Sequence, residues 1–289
     1  MNNLKKYDID DDEIRIISGE TAEKSGKKRK RNIIIVTSIV IVSVIIGVIA
    51  GILIDRHDVE AQEEDTARIV QAPTAMGAFD GKYEKASYSI VRDTVVGDIP
   101  LTIITPVNAI PSLVIGESAI NDTTAVLVAQ AADIREDNGQ IVGAFVLDGN
   151  LISRGKSKAG YCAIINDKVF IGVAETTPLL EKATETNGFF FRQYPLVIEN
   201  QVIENKPKRK SLRKALALLN DDVVVILSHY EMTFHDFSQT LVDLGVTNAI
   251  YLIGSTAYGF AKDVNGTKIE FGIRQQMPED TNFNYIVWH

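Results

Sequence analysis

Acid, base or nucleophile chemistry in this 289-residue chain has few obvious pieces to work with. The four histidines are His57, His229, His235 and His289, and the one cysteine is Cys162. His229 and His235 stand six apart on the rim that follows an apolar run, a spacing that could let both face one site. Cys162 can form no internal disulfide, and its apolar setting reads as that of a small buried hydrophobe. There is no H-E-x-x-H, no G-x-S-x-G, no Walker phosphate loop and no paired-cysteine site, so no metal ligands are assigned. Any site must therefore be assembled by the fold from residues far apart in sequence.

The strongest organising element is Ile33 to Ile54, twenty-two residues without a charge. At 1.5 Å per residue a helix of this length covers a hydrocarbon core of about 30 Å, and a helix satisfies its own backbone groups in lipid. Lys27 to Arg31 precede it, so the positive-inside bias keeps the N-terminus cytoplasmic and sends the C-terminal part across the membrane, into the periplasm in a Gram-negative cell. A cleaved signal peptide is the rival reading, but the run exceeds a typical signal core of roughly 7–15 residues. Gly47 and Gly51 have the G-x-x-x-G spacing that permits close helix contact, which leaves the oligomeric state open. The expected organisation is a polar tail over 1–31, an anchor over 32–54, a stalk over 55–86 with a short helix from Val59 to Val70, and a domain over 87–289.

Net charge is −8 for the chain, and residues 55–289 carry 21 basic against 31 acidic side chains. Bulk electrostatics thus argue against nucleic acid as a partner. Within the domain, short β-branched runs at Tyr88–Val91, Leu101–Thr105 and Ala125–Ala129 predict strands. Gly143–Leu147 and Leu151–Arg154 flank Asp148-Gly149-Asn150, and Tyr161–Ile165 and Val169–Val173 flank Asn166-Asp167-Lys168, which predicts two hairpins. Asp263 to Thr267 reads as another hairpin turn. Leu179–Thr186 predicts a helix stopped at Asn187-Gly188, whereas Leu212–Leu219 reads either as a helix or as a strand entrance plus loop. Val223–Leu227 predicts a buried strand, Thr233 caps a helix that Gly245 ends, and Ala249–Ile253 predicts the next strand. That strand, helix, strand unit predicts parallel pairing. The fold class is α+β, a mixed sheet with antiparallel hairpins and a few helices.

From about Gln130 to Phe271 the chain resembles the phosphodiester glycosidase domain family, which includes many bacterial envelope proteins. The resemblance rests on four segments in order. They are Asp137-Asn138-Gly139-Gln140 running into Gly143–Val146 and Asp148-Gly149; Asn187–Val197; Lys210–Ala215; and Asp236-Phe237 through Leu244–Leu252 to Gly254-Ser255. Where the family carries Asn-Gly-Gly-Phe-Phe this chain has Ala129-Gln130-Ala131-Ala132-Asp133. Where it carries Asp-Gly-Gly this chain has Ile253-Gly254-Ser255.

The resemblance implies cleavage of a sugar from a phosphodiester. It puts Arg213 on the phosphate, with Arg192 as second candidate and Gly254 beside the substrate, because a guanidinium fork matches phosphate oxygens. Asp133, His229 and Ser255 are the catalytic candidates, Asp133 as a carboxylate just downstream of the altered Ala129–Ala132 stretch that would compensate for the one lost at Ile253. Whether a divalent cation takes part is left open. The implied partners are membrane lipid through the N-terminal helix and a glycan or sugar phosphate. The rival reading is a catalytically degenerate member that binds such a ligand or serves the envelope structurally.

Overall fold

The computed structural model describes residues 70–71, 86–274, 276 and 281–289. The apolar run 33–54, the tail before it and nearly all of the 55–86 stalk lie outside the described residues. Among the described residues no helix is long and apolar enough to cross a membrane.

Among the described residues the domain is built on three sheets. The first has the order β1 (Val70–Gln71), β9 (Lys168–Val173), β8 (Gly160–Ile165), β10 (Phe189–Gln193), β6 (Phe145–Leu147), β7 (Asn150–Ser153). The second runs β12 (Gln201–Val202), β11 (Pro195–Ile198), β15 (Val246–Leu252), β13 (Lys214–Leu219), β14 (Asp222–Ser228), β3 (Ile99–Val107), β2 (Tyr88–Val96). The third runs β17 (Lys268–Phe271), β16 (Gly259–Lys262), β5 (Leu127–Gln130), β18 (Asn284–Trp288), β4 (Pro111–Ile115). Helices α1 (Ser118–Asn121), α2 (Pro178–Glu185) and α3 (Phe234–Leu244) complete the described elements.

Alternation along the strands sorts side chains to two faces. Leu216, Leu218, Val225, Ile250 and Leu252 of the second sheet enter a common core. There they meet Phe145, Cys162, Ile164 and Phe191 of the first sheet and Leu127, Ala129, Ile286 and Trp288 of the third. Their neighbours in sequence point the other way. Ala215, Ala217, Ile226, Ala249 and Tyr251 lie under Phe234, Phe237 and Leu241 of α3. Leu179 and Ala183 of α2 cover Tyr161, Ala163 and Phe190, and Ala119 and Ile120 of α1 cover Val128, Phe260, Tyr285 and Val287. Each sheet thus has one face in the shared core and the other under a helix.

The tight turns are local chemistry. Asp148-Gly149, Asn166-Asp167, Glu199-Asn200 and Asn220-Asp221 all have positive φ at both central residues, as two-residue hairpin loops require. The Thr233 side chain accepts the Asp236 amide at the start of α3, and Gly245, at φ 97°, ends it.

Two expectations change and one open alternative is decided. The sheets are not mixed, because among the described residues every strand pairing is antiparallel. β14 and β15, on either side of α3, do run in the same direction, yet they are not paired; β13 lies between them and pairs with both. Leu212–Leu219 is no helix, since its Ala-Leu-Ala-Leu core alternates with period two between the shared core and α3, and neighbours on both sides complete its ladder.

One end of the third sheet is tied by the last residue. His289 exchanges two backbone hydrogen bonds with Ile110, and its Nε2 lies 2.9 Å from Asp122 Oδ2. Asp122 Oδ1 also accepts from the amide and hydroxyl of Thr124, both at 2.7 Å. These donors, Thr124 first and His289 next, hold the Asp122 carboxyl well below its ordinary value of 3.8. A carboxyl depressed in the folded state contributes stability above its unfolded pKa and loses it as pH falls toward the folded one. Denaturant melts from pH 5 to pH 2 are expected to show stability falling with acidification, more shallowly in Asp122→Asn; identical slopes would contradict the assignment.

Candidate functional site

The three sheets meet around one ion pair. Asp133 follows β5 of the third sheet, Lys158 stands just before β8 of the first, and Tyr194 links β10 of the first to β11 of the second. The Lys158 ammonium pairs with the Asp133 carboxylate; the lysine side chain is 3% exposed and the aspartate 19%. Lys158 Nζ also lies 4.6 Å from the centre of the Tyr194 ring, a cation–π contact. The Gln193 amide donates to Asp133 Oδ1 at 3.3 Å and to the Ala131 carbonyl at 3.4 Å, while its oxygen accepts the Tyr194 amide at 2.9 Å.

Backbone clamps fix these groups. The Asn284 side chain on β18 accepts the Ala132 amide at 2.7 Å and donates to the Ala132 carbonyl at 3.1 Å, which sets the chain leading into Asp133. Arg192 is buried and gives its fork to the carbonyls of Lys158 (3.1 Å), Ala174 (2.8 Å) and Glu175 (2.7 Å). Lys158 has a φ of 65°, a left-handed conformation that costs a non-glycine residue. Arg192 grips the carbonyl of this residue.

From Tyr194 the row continues through aromatic rings. The Tyr194 and Phe234 centroids are 5.2 Å apart, and Tyr251 meets Phe234 edge-on at 4.9 Å. The Arg213 guanidinium lies 4.0 Å over the Phe234 ring and 5.7 Å from that of Tyr251. Its Nε donates to Met232 O at 2.9 Å and its Nη2 to Arg209 O. Helix α3 supplies Phe234 at its first turn, which explains why the capped helix matters to the site. The Tyr251 hydroxyl accepts the Gly254 amide at 2.9 Å. A Cβ on Gly254 would stand 2.7 Å from that hydroxyl and closer still to the Leu212 carbonyl, so the position requires glycine. Ser255, exposed and at φ 51°, follows with its amide on Leu212 O at 2.8 Å.

The row therefore joins Asp133, Arg213 and Gly254, with Ser255 at its end. Arg192 lies behind it, holding backbone. His229 turns elsewhere: its Nε2 is 2.7 Å from Thr102 Oγ1 and 3.8 Å from Asp93 Oδ1, on the β2–β3 ribbon. His235 contacts Glu204. Lys158, Gln193, Tyr194, Phe234 and Tyr251 were not among the candidates from sequence. Gln193 and Tyr194 adjoin Arg192 in a segment already singled out, and strand alternation would have turned attention to them. Lys158 carries no sequence signal.

Chemically, the row sets a carboxylate acceptor at one end, a guanidinium donor at the other and aromatic faces between them. Among the described residues no group of three His, Cys, Asp or Glu side chains is arranged to hold a metal ion.

No family model matches the chain, and no curated protein matches it. In structure it is similar to the catalytic domain of zebrafish N-acetylglucosamine-1-phosphodiester alpha-N-acetylglucosaminidase in a form auto-inhibited by its pro-peptide. The TM-score is 0.50 and the identity 13%, over 76% of this chain and 86% of that one. A hypothetical protein from Synechocystis superposes with a TM-score of 0.46 and 12% identity, over 70% and 62% of the two chains. The likeness to the zebrafish domain is one of fold.

On the opposite face of β13 from Arg213, Lys214 is buried and donates to Ala257 O, pinning the loop that carries Gly254 and Ser255. Burial lowers its pKa to about 8 from the ordinary 10.5. Between those values the unfolded chain binds more protons at this site than the folded one, so stability rises with pH. Denaturation midpoints measured from pH 8 to pH 9.5 are expected to rise in the wild type relative to Lys214→Met; parallel curves would rule this out.

Proposed function

We propose that this chain is a membrane-anchored, phosphodiester glycosidase-like protein that hydrolyses a sugar-phosphate diester linkage in envelope or environmental glycans. Its domain stands outside the cytoplasm, tethered by the apolar helix at 33–54 with the N-terminus inside. Water adds to the anomeric carbon, the carbon–oxygen bond to phosphate breaks, and a phosphate monoester leaves. Arg213 holds the phosphate oxygens, Asp133 accepts a proton from the attacking water or steadies charge on the sugar ring, and Lys158 fixes that carboxylate. Gly254 and Ser255 border the phosphate end, and Arg192 positions Lys158. His229, on the β2–β3 ribbon, has no part in the step.

The single observation that carries this reading is the contact row from Asp133 to Arg213, inside a domain whose fold is shared with the zebrafish glycosidase catalytic domain. A second reading, binding without turnover, is favoured by two features. Nε and Nη2 of Arg213 and the Gly254 amide already have protein acceptors, and the family's Asp-Gly-Gly aspartate is replaced by Ile253.

The test is hydrolysis of a panel of sugar-1-phosphate diesters by the full chain, with and without added divalent cation. Turnover is expected. Asp133→Asn leaves the buried Lys158 ammonium without its anion, so it is read alongside its thermal melt. It is expected to lower kcat of the folded fraction by at least about 100-fold, the usual contribution of a positioned acid or base. Arg213→Lys, which keeps charge over the rings but loses the fork, is expected to raise KM for the diester. His229→Gln is expected to leave both near wild type. A folded chain that binds a diester without cleaving it would transfer the assignment to the binding reading.

A further inference from the structure

A cationic loop stands beside the row. The nine residues from Lys206 to Lys214, Lys-Pro-Lys-Arg-Lys-Ser-Leu-Arg-Lys, hold six cations and no carboxylate, in a part of the chain where acidic residues outnumber basic ones. Arg213 and Lys214 are buried, whereas Lys206, Lys208, Arg209 and Lys210 are exposed. Lys208 lies 3.5 Å from Glu204, a carboxylate shared with His235.

This loop is anchored at both ends and in the middle. Before it, Asn205 is buried and its amide donates to Pro195 O at 2.6 Å and Ile203 O at 3.2 Å. Just past its exposed cations, Ser211 and Met232 exchange two backbone hydrogen bonds, at 3.1 and 2.8 Å. Within it, the Arg209 carbonyl accepts from the Arg213 guanidinium that sits over Phe234. The exposed cations are therefore held next to the guanidinium end of the row by a hydrogen bond from that guanidinium itself.

We propose that the ligand of this site is a polyanion, a linear polymer whose sugars are joined by repeated phosphodiesters, and that residues 206–210 bind the phosphates flanking the one at Arg213. The inference rests on the proposed phosphodiester chemistry for the identity of the repeat, and on the charge of the loop for its polymeric nature. One diester needs one guanidinium; four further exposed cations match a ligand that carries charge beyond the reacting unit. The domain is acidic as a whole, so its bulk charge does not draw such a chain, and the dense run of cations in this loop supplies a local attraction. An anionic lipid surface is the competing source of negative charge. It is disfavoured because the loop is tied to Arg213, whose guanidinium is buried against aromatic rings rather than turned outward with the lysines.

The test is binding of the full chain, in neutral-lipid nanodiscs, to a synthetic decamer of hexose units linked by non-hydrolysable 1-phosphonates, with the single-linkage phosphonate and phosphatidylglycerol vesicles as comparisons. The variants are Lys206→Gln/Lys208→Gln/Lys210→Gln and the same three positions changed to Arg. The wild type is expected to prefer the decamer, and the Gln variant to lose that preference, with a salt dependence shallower by about 2 units of log K per log salt. Affinity for the single linkage is expected to stay unchanged, and the Arg variant to bind as wild type. Equal decamer binding by wild type and the Gln variant would overturn the proposal. So would parallel loss of decamer and single-linkage affinity, or tighter binding to the vesicles with the same sensitivity to the three lysines. Binding is read without turnover, so a chain that holds the decamer through this loop yet cleaves no diester would sink the hydrolase reading alone.

Discussion

The buried ammonium of Lys158 is the constraint on which the site depends. Removing such a charge from water costs several kcal/mol unless an anion meets it, and leaving it alone inside the protein is strongly destabilising. Here the anion is Asp133, the ring of Tyr194 covers one side, and Arg192 fixes the backbone from which the lysine projects. Asp133 follows β5, Lys158 precedes β8, and Arg192 and Tyr194 share the segment that joins β10 to β11, so the group gathers three stretches at the junctions of three sheets. Satisfying one charge therefore locks the relative positions of β5, β8, β10 and β11 at the place where the row of polar and aromatic groups begins.

The sheets can converge there because their far faces are already closed. Ala215, Ala217 and Ala249 are small enough for α3 to lie close to the second sheet, and this brings Phe234 under Arg213. Asn248, fully buried on β15, reaches across to the Ile171 carbonyl of the first sheet at 3.1 Å. At the handover from β10 to β11, Gly160 faces the Gln193 carbonyl so closely that a Cβ would lie 2.5 Å from it. The edge strand β2 is long and exposes Ile90 and Val95, but Arg92 and Asp93 interrupt it, the kind of charge that discourages edge-to-edge pairing.

What could be read from the sequence was what neighbours in the chain decide. The loops Asp148-Gly149 and Asn166-Asp167, the Thr233 cap, the Gly245 terminator and the helix ending near Asn187 all follow from local conformational chemistry. What the sequence leaves open or misleads on is tertiary. Lys214–Leu219 has residues that suit a helix as well as a strand, and only the sheet on both of its edges decides for the strand. β14 and β15 obey the directional rule for a strand, helix, strand unit, but the insertion of β13 between them is a matter of pairing energy over the whole sheet. β4 and β18 were not foreseen at all, since they find their partners far away in the chain. The candidate site divides in the same way. Asp133, Arg213 and Gly254 came from a resemblance and lie on one row, whereas Lys158 and Asn284 owe their places to contacts more than twenty residues away in sequence and carry no pattern of their own.

A crystal structure of the full chain with a non-hydrolysable sugar-1-phosphonate would test the central claim most directly. The account predicts the phosphonate oxygens within hydrogen-bond reach of Arg213 and the sugar ring against Tyr194 and Phe234, with its anomeric carbon toward Asp133. A ligand bound elsewhere on the domain, with the Asp133 to Arg213 row untouched, would contradict it.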